Sequence, residues 1–439
     1  MWATQLQRRV RGAIRALSTP PASLYERNAR NVMIDGMGVG LVSGVASFLS
    51  VFLTRLGASN VQVGLLTAMP AVTGALLALP LGQFIGRQRN IVAWYARSRL
   101  WVLSSYALTG LAPFLFDHAA VVAIILIWAV ATVPQTLVNI CFTLVMSAVA
   151  GPGRRMELMS RRWTTLGISS ALSVALAGWA LDLMRFPLNY QVVFLCSFVG
   201  GLISYRFSTS IELPQQAPRQ VESAPWWTSL TRMRRLLGTH SAFNRFLVSQ
   251  FVFRCGMAMA IPLFPLYWVR VVQASDAAIG LINMVQSGVL LVAYSLWIVV
   301  ARRRGAGLVL TLCAFGLAAY PLATALTGSV WLLVLYAAIA GVFVAGTDLV
   351  IFDVVAATAP AAARGAAIGL YHTTNYLATF AAPLVGTTLA NHFGIGTMLL
   401  VAAGLRLLGS ALFLLWRVGT ADAATPVPAP RPARAGYRR

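Results

Sequence analysis

The sequence predicts an all-α integral membrane protein with twelve transmembrane helices arranged as two six-helix repeats. Three observations lead there. Of 439 residues, 58% are hydrophobic and only 10% are charged, whereas a soluble chain carries about a quarter charged residues. Apolar runs of roughly 20 residues, long enough to cross a bilayer as a helix, recur along the whole chain. Finally, the stretch GASNVQVGLL at 57–66 returns as QASDAAIGLI at 273–282. β-Barrel strands would show short alternating segments instead of continuous apolar runs.

The apolar runs place spans at 30–56, 61–85, 91–116, 119–149, 162–183 and 188–207 in the first half. The second half gives 242–270, 279–301, 306–327, 330–357, 365–390 and 395–417. The expected organisation is an N-terminal tail over 1–29, a six-helix bundle over 30–207, a linker over 208–241, a second bundle over 242–417 and a disordered tail over 418–439. In the N-terminal tail Trp2, Leu6, Val10, Ile14 and Leu17 recur at helical spacing between arginines. That pattern suits a helix lying on an anionic membrane surface, with a solvated start as the alternative. The tail lacks the short apolar core and cleavage site of a signal peptide. In the linker, Trp226, Leu230, Met233 and Leu237 suit a second surface helix.

The formal charge of +23 comes entirely from arginine. The arginines fall in alternate connections, the pattern of cytoplasmic loops. No soluble basic segment is long enough for a nucleic-acid-binding domain. One face takes the N-terminal tail, Arg87 and Arg89, the cluster Arg154, Arg155, Arg161 and Arg162, the linker, Arg302 to Arg304, Arg364 and the C-terminal tail. The other face takes only Arg55, Arg185 and Arg270. The expectation is therefore a multi-pass plasma (cytoplasmic) membrane protein with both termini in the cytoplasm. Cys141, Cys196, Cys255 and Cys313 lie in apolar runs and are read as buried, inert thiols, with no disulfide framework and no metal site.

Extending the two similar stretches without gaps brings Gly86-Arg87-Gln88-Arg89 onto Arg302-Arg303-Arg304-Gly305. The register holds across a whole helix, so the chain carries an internal duplication. Parallel six-helix repeats joined by a long cytoplasmic loop are the plan of the major facilitator superfamily, which the chain resembles over nearly its full length. The family's best-known motif, Gly-x-x-x-Asp-(Arg/Lys)-x-Gly-(Arg/Lys)-(Arg/Lys), corresponds here to Gly82-Gln83-Phe84-Ile85-Gly86-Arg87-Gln88-Arg89-Asn90. The first Gly and first Arg match, but Gly86 replaces the Asp that helps latch the two halves in the family. Span five reads Gly167-Ile168-Ser169-Ser170-Ala171-Leu172 and lacks the Gly-Pro pair common in proton-driven drug antiporters. The resemblance is to bacterial members without a defined substrate.

Charges inside a membrane are rare and usually face a bundle interior or a cavity. The resemblance implies that spans one, four, seven and ten line a central cavity. Arg254 in span seven and Asp348 in span ten then stand at similar depth. They form either a substrate and coupling site or a permanent structural pair. Asp35 in span one has Arg97 and Arg99 at comparable depth in span three. Residues two apart point roughly 200° apart on a helix, so at most one of these arginines faces it. Asp353 and Arg364 suggest a structural or gating pair at the inner end of span ten. Tyr371 and Asn375 share one face of span eleven, as do His372 and Tyr376. Gln135 and Asn139 share a face in span four, and so do Asn283 and Gln286 in span eight. These amides are candidates for substrate contact or for interhelical hydrogen bonding. Gly36, Gly40 and Gly44 allow close helix approach along span one.

The leading expectation is a secondary transporter of a small solute working by alternating access. An anionic solute is suggested by Arg254. A coupling proton or ion is a candidate partner, no cofactor is expected, and the chain is read as a monomer in the lipid bilayer. With no lysine, no phosphate-binding loop ending in Gly-Lys-Ser/Thr exists, so ATP hydrolysis is excluded. His118, His240, His372 and His392 are scattered and no carboxylates are paired, which argues against an enzyme. A lipid translocator and a non-transporting sensor or assembly protein of the same fold are the alternatives.

Overall fold

A computed structural model describes residues 23–151, 154–213, 241–360 and 364–419. The two expected surface helices, in the N-terminal tail and at 226–237, and nearly all of the C-terminal tail lie outside the described residues.

Twelve spans are present among the described residues. Span one is split into Leu24–Ala46 and Leu49–Arg55. Spans two to six follow as Asn60–Gly86, Ile91–Phe116, Ala120–Ala150, Arg155–Leu183 and Leu188–Thr209. Spans seven to twelve are Ser241–Arg270, Asp276–Arg304, Ala306–Ala325, Val330–Thr358, Arg364–Phe393 and Ile395–Leu415. Among the described residues, ten spans are long and apolar enough to cross a membrane on composition alone. Span three, with Arg97 and Arg99, and span eleven, with its polar run from Tyr371 to Tyr376, fall short of that measure but lie among the others.

The helices form two bundles with the same internal pattern. Span one packs on spans five and six, and span seven packs on eleven and twelve. Span three packs on four and six, as nine packs on ten and twelve. Between the halves, span two lies along span eleven and span five along span eight. Six added to span two gives span eight, and six added to span five gives span eleven, so a pseudo-two-fold axis exchanges the two contacts. Where the pairs cross, glycine lets the backbones meet. A Cβ on Gly64 would lie 2.2 Å from Thr387 Oγ1. A Cβ on Gly178 would lie 3.0 Å from the Cα of Gly280. Within the first bundle, Gly36, Gly40 and Gly44 face Arg162, Ser169 and Ser173 of span five, the close approach expected of them.

The helix starts explain two departures from the sequence reading. Span one begins six residues earlier than expected because Ser23 caps it, accepting from the Glu26 amide at 3.2 Å. Asn28 and Asn31 then tie its first turns to the backbone of Glu212 and Ser210 beyond span six. Span five starts at Arg155, so Arg162 is interior and not part of an exposed loop cluster. Arg162 donates to Asp35 Oδ2 at 3.1 Å, and its guanidinium lies 4.4 Å over the Phe142 ring.

Asp35 is fully buried and draws four spans together. Tyr95 donates to its Oδ2 at 3.0 Å, and Ser204 to its Oδ1 at 2.6 Å. Arg99 lies 3.7 Å from Oδ1. Of the two arginines in span three, Arg99 faces Asp35, while Arg97 is exposed and lines a separate groove with Arg89. The nearer partner, Arg162, was missed because sequence placed it in a loop. A buried carboxylate with two guanidinium partners and two hydroxyl donors meets the requirement that buried charges be paired and hydrogen-bonded.

The second bundle has a buried arginine of another kind. Arg406 in span twelve is 2% exposed and has no carboxylate partner among the described residues. Its Nη1 donates to the Leu317 carbonyl at 2.8 Å, and its Nε to the Gly256 carbonyl at 3.2 Å. Leu317 stands four residues before Pro321, which has no N–H to offer. The proline leaves a carbonyl free, and the arginine takes it. Cys141 and Cys313 are buried as expected, but Cys255 is half-buried and Cys196 is exposed on the outside of span six.

Candidate solute-binding site

A cavity of about 790 Å³ lies between the two bundles. Span two supplies Pro70 to Ala78, span four Thr132 to Thr143, span seven Gln250 to Met257, span ten Val344 to Phe352 and span eleven Tyr371 to Thr379. Span one supplies none of the lining, contrary to expectation. Its glycine face is occupied by span five and its Asp35 is engaged within the first bundle. The lining residues lie in the middle and arginine-rich parts of their helices.

Arg254 and Asp348 both line the cavity, along with Gln135, Asn139, Tyr371, His372 and Asn375. Gln135 donates to Asn139 at 3.1 Å, so the shared face on span four forms one amide pair. Arg254 and Asp348 are near enough to feel each other's charge, but they are not in ion-pair contact. Asn283 and Gln286 are not in the lining, and the Asn283 amide turns back to the Ile279 carbonyl of its own helix at 3.1 Å. Asp353 is exposed, and the Arg364 side chain lies outside what is described. Arg87 and Arg89 are exposed and make no ion pair among the described residues. Gln250 is a lining residue that the sequence reading missed. It stands four residues before Arg254 on the same helical face, a signal available in the sequence.

On the opposite face the cavity is closed by the two repeated stretches. Ser59 and Ser275 cap spans two and eight, accepting from Gln62 N and Ala278 N at 3.2 Å. The residues next to them receive arginines from the other half. Arg55 Nε donates to Asp276 Oδ1 at 2.8 Å, and its Nη2 to the Ala274 carbonyl at 2.8 Å. Arg270 donates to Asn60 Oδ1 at 2.5 Å and also to the Ala58 carbonyl. Ala58 and Asn60 are the repeat equivalents of Ala274 and Asp276. The same two contacts are thus made twice, in opposite directions. Tyr190 adds a 2.6 Å bond to Asp276 Oδ1, and Asp182 caps the start of span eight by accepting from Asp276 N at 3.0 Å. Asn60 also donates to Asn391 at 2.8 Å.

Two bundles related by a pseudo-two-fold axis thus enclose a cavity, and a latch crosses one end of it. The Major Facilitator Superfamily model matches residues 246–438. The second half of the chain thus carries the pattern of the Major Facilitator Superfamily. No curated protein sequence matches it. Among solved structures, a mutant form of the nucleoside transporter NupG superposes with TM-score 0.70 at 12% identity, covering 90% of this chain and 100% of that one. The inward open xylose transporter XylE from E. coli gives 0.65 at 13% identity, covering 90% and 96%. A bacterial homolog to the human lysosomal transporter Spinster, inward-facing and unoccupied, gives 0.66 at 13% identity, covering 93% and 100%. At these identities the likeness concerns the fold. The stretch Gly82–Asn90 departs from the motif that it resembles, and the charged contacts between halves lie at the other end of the molecule.

Proposed function

We propose that this protein is a secondary transporter of a small polar solute, working by alternating access around the cavity between its bundles. The observation that carries this reading is the pairing of a charged, amide-lined midplane cavity with a symmetric latch that shuts one end of it. The arginine-rich end is cytoplasmic by the positive-inside rule, so the latched end faces outward and the structure is inward-facing. Outward opening requires both arginine latches to break and the crossing glycines to separate. No ATP site accompanies the fold, so the drive comes from a solute or ion gradient. Arg254 holds an anionic group of the solute and the span-four amides hold its neutral polar part. The chain acts as a carrier and not as an enzyme.

The test is two-sided accessibility. Thr347 lines the cavity, so Thr347→Cys, in a background with the four native cysteines replaced by alanine, reports which side reaches it. A membrane-impermeant maleimide is applied to each side of oriented vesicles. A carrier labels from the cytoplasmic side at rest and from the outer side when the latch is weakened. Labelling confined to one side under every condition, including latch variants, sinks the proposal.

A further inference from the structure

We infer that the solute is zwitterionic, an amino-acid-like molecule whose anionic group meets Arg254 and whose cationic group meets Asp348. This rests on the transporter reading of the same cavity and goes beyond it in naming the chemical class.

Among the described residues, Arg254 and Asp348 are the only arginine and the only carboxylate in the cavity wall. Buried arginines elsewhere have partners: Arg99 and Arg162 have Asp35, and Arg406 has two carbonyls. Arg55 and Arg270 have the latch. Arg254 and Asp348 have opposite charges in one cavity, yet among the described residues no ion pair joins them and no hydrogen bond engages either side chain. Arg254 Nε is buried without a partner, as are the Nε atoms of Arg30, Arg99 and Arg162, but Arg254 alone of these lines the cavity, where Gln250 Oε1 one turn away is also unpartnered.

Both charges line the same cavity without meeting, and Tyr371 and Asn375 line it with them.

Charge interactions strengthen as water leaves a site, and an unmatched charge there is costly. A neutral solute leaves both protein charges unmatched on occlusion, and a singly charged one leaves one. A zwitterion matches both. Both charges belong to the second bundle. The facing wall of the first bundle offers only uncharged polar groups, including Gln135, Thr136 and Asn139. The charged ends of the solute are therefore read by one half and its neutral part by the other, which makes contact across the interface depend on the solute itself.

The experiment measures ligand-induced thermal stabilisation of the purified full chain in detergent. The probes are glycine, β-alanine, γ-aminobutyrate, glycine betaine and the twenty amino acids. Matched controls are butyrate, butylamine, uridine and xylose. The proteins are the unmodified chain, Arg254→Gln and Asp348→Asn. At least one zwitterion should stabilise the unmodified chain while its singly charged counterpart does not. Each variant should bind that zwitterion roughly 10- to 100-fold more weakly, the range for losing a hydrogen-bonded charge contact. Both variants should keep the unliganded melting behaviour of the parent, because neither residue holds the fold together. If a variant fails to fold, Arg254→Lys and Asp348→Glu replace it, and graded weakening is expected. Zwitterion binding unchanged in Asp348→Asn overturns the inference and makes Asp348 a coupling group. Binding of butyrate, uridine or xylose alone also overturns it, while leaving the transporter reading intact. A chain stabilised by none of the zwitterions overturns it too, and two-sided labelling at Thr347→Cys then decides separately whether the transporter reading survives.

Discussion

Arg55 and Asp276 meet across the two bundles at 2.8 Å, Nε to Oδ1, and the bond has a counterpart of exchanged direction in Arg270 and Asn60 at 2.5 Å. One of these contacts is an ion pair and the other joins a charge to an amide. The closed face is therefore symmetric in shape but not in charge.

Asp276→Asn removes the anionic partner of a half-buried arginine and leaves the Tyr190 hydroxyl a weaker acceptor. The expected loss is about 1–3 kcal/mol, which moves the balance between open and closed outer faces by about 5- to 150-fold. Labelling of Thr347→Cys from the outer side should rise accordingly. An unchanged labelling rate would show that the latch does not govern the outer face.

Asn60→Asp should act in the opposite sense. It gives Arg270 a carboxylate and completes the charge symmetry of the latch. The added pair is partly exposed, so it contributes about 1 kcal/mol or less. Outer labelling should fall a few-fold, and transport, once a solute is known, should slow without loss of binding.

Gly64→Val tests the crossing of spans two and eleven. Its Cβ would fall 2.2 Å from Thr387 Oγ1, and that hydroxyl is already held by the Pro383 carbonyl at 2.7 Å. The side chain acts as a wedge. The variant should fold, because each bundle keeps its own core, and should label from the outer side at rest. Gly64→Val combined with Thr387→Ala should label less than the single variant.

Asp35→Asn should behave as a folding variant and not as a transport variant. It strips the charge partner from Arg99 and Arg162, whose side chains are 9% and 3% exposed. Breaking a buried pair from one side costs about 3–5 kcal/mol. The yield of monodisperse protein and its melting temperature should both fall. A variant with parental stability would show that water or lipid reaches this cluster.

The spans were legible in the sequence because hydrophobic length is a local property, and ten of twelve stand out on composition alone. The repeat was legible because both copies keep Ala-Ser, Gly-Leu and the same spacing. What the copies touch was not. Arg55 and Arg270 read as charges trailing from helix ends, and nothing local says that each crosses to the other half. Rotation about the helix axis was equally hidden. Gln135 and Asn139 face the cavity, whereas Asn283 and Gln286, which share a face equally well, do not line it. Arg162 was assigned to a loop because a paired interior charge and a solvated one look alike in sequence. Arg406 was visible as an arginine within an apolar run, but its partners are carbonyls, which no side-chain pattern announces.

The Leu317 carbonyl left free by Pro321 has a mechanical consequence. Prolines in transmembrane helices commonly provide a place to flex, because the missing bond softens the helix there. In span nine the softened place is bolted by Arg406 to spans seven and twelve together. In the other bundle Asp35 fastens spans one, three, five and six. Each bundle is thereby stiffened from within, with its strongest internal ties placed where a helix would otherwise yield. Compliance is left to the seam between the bundles, so the energy needed to change state is set by surface contacts that can be made and unmade without disturbing either core.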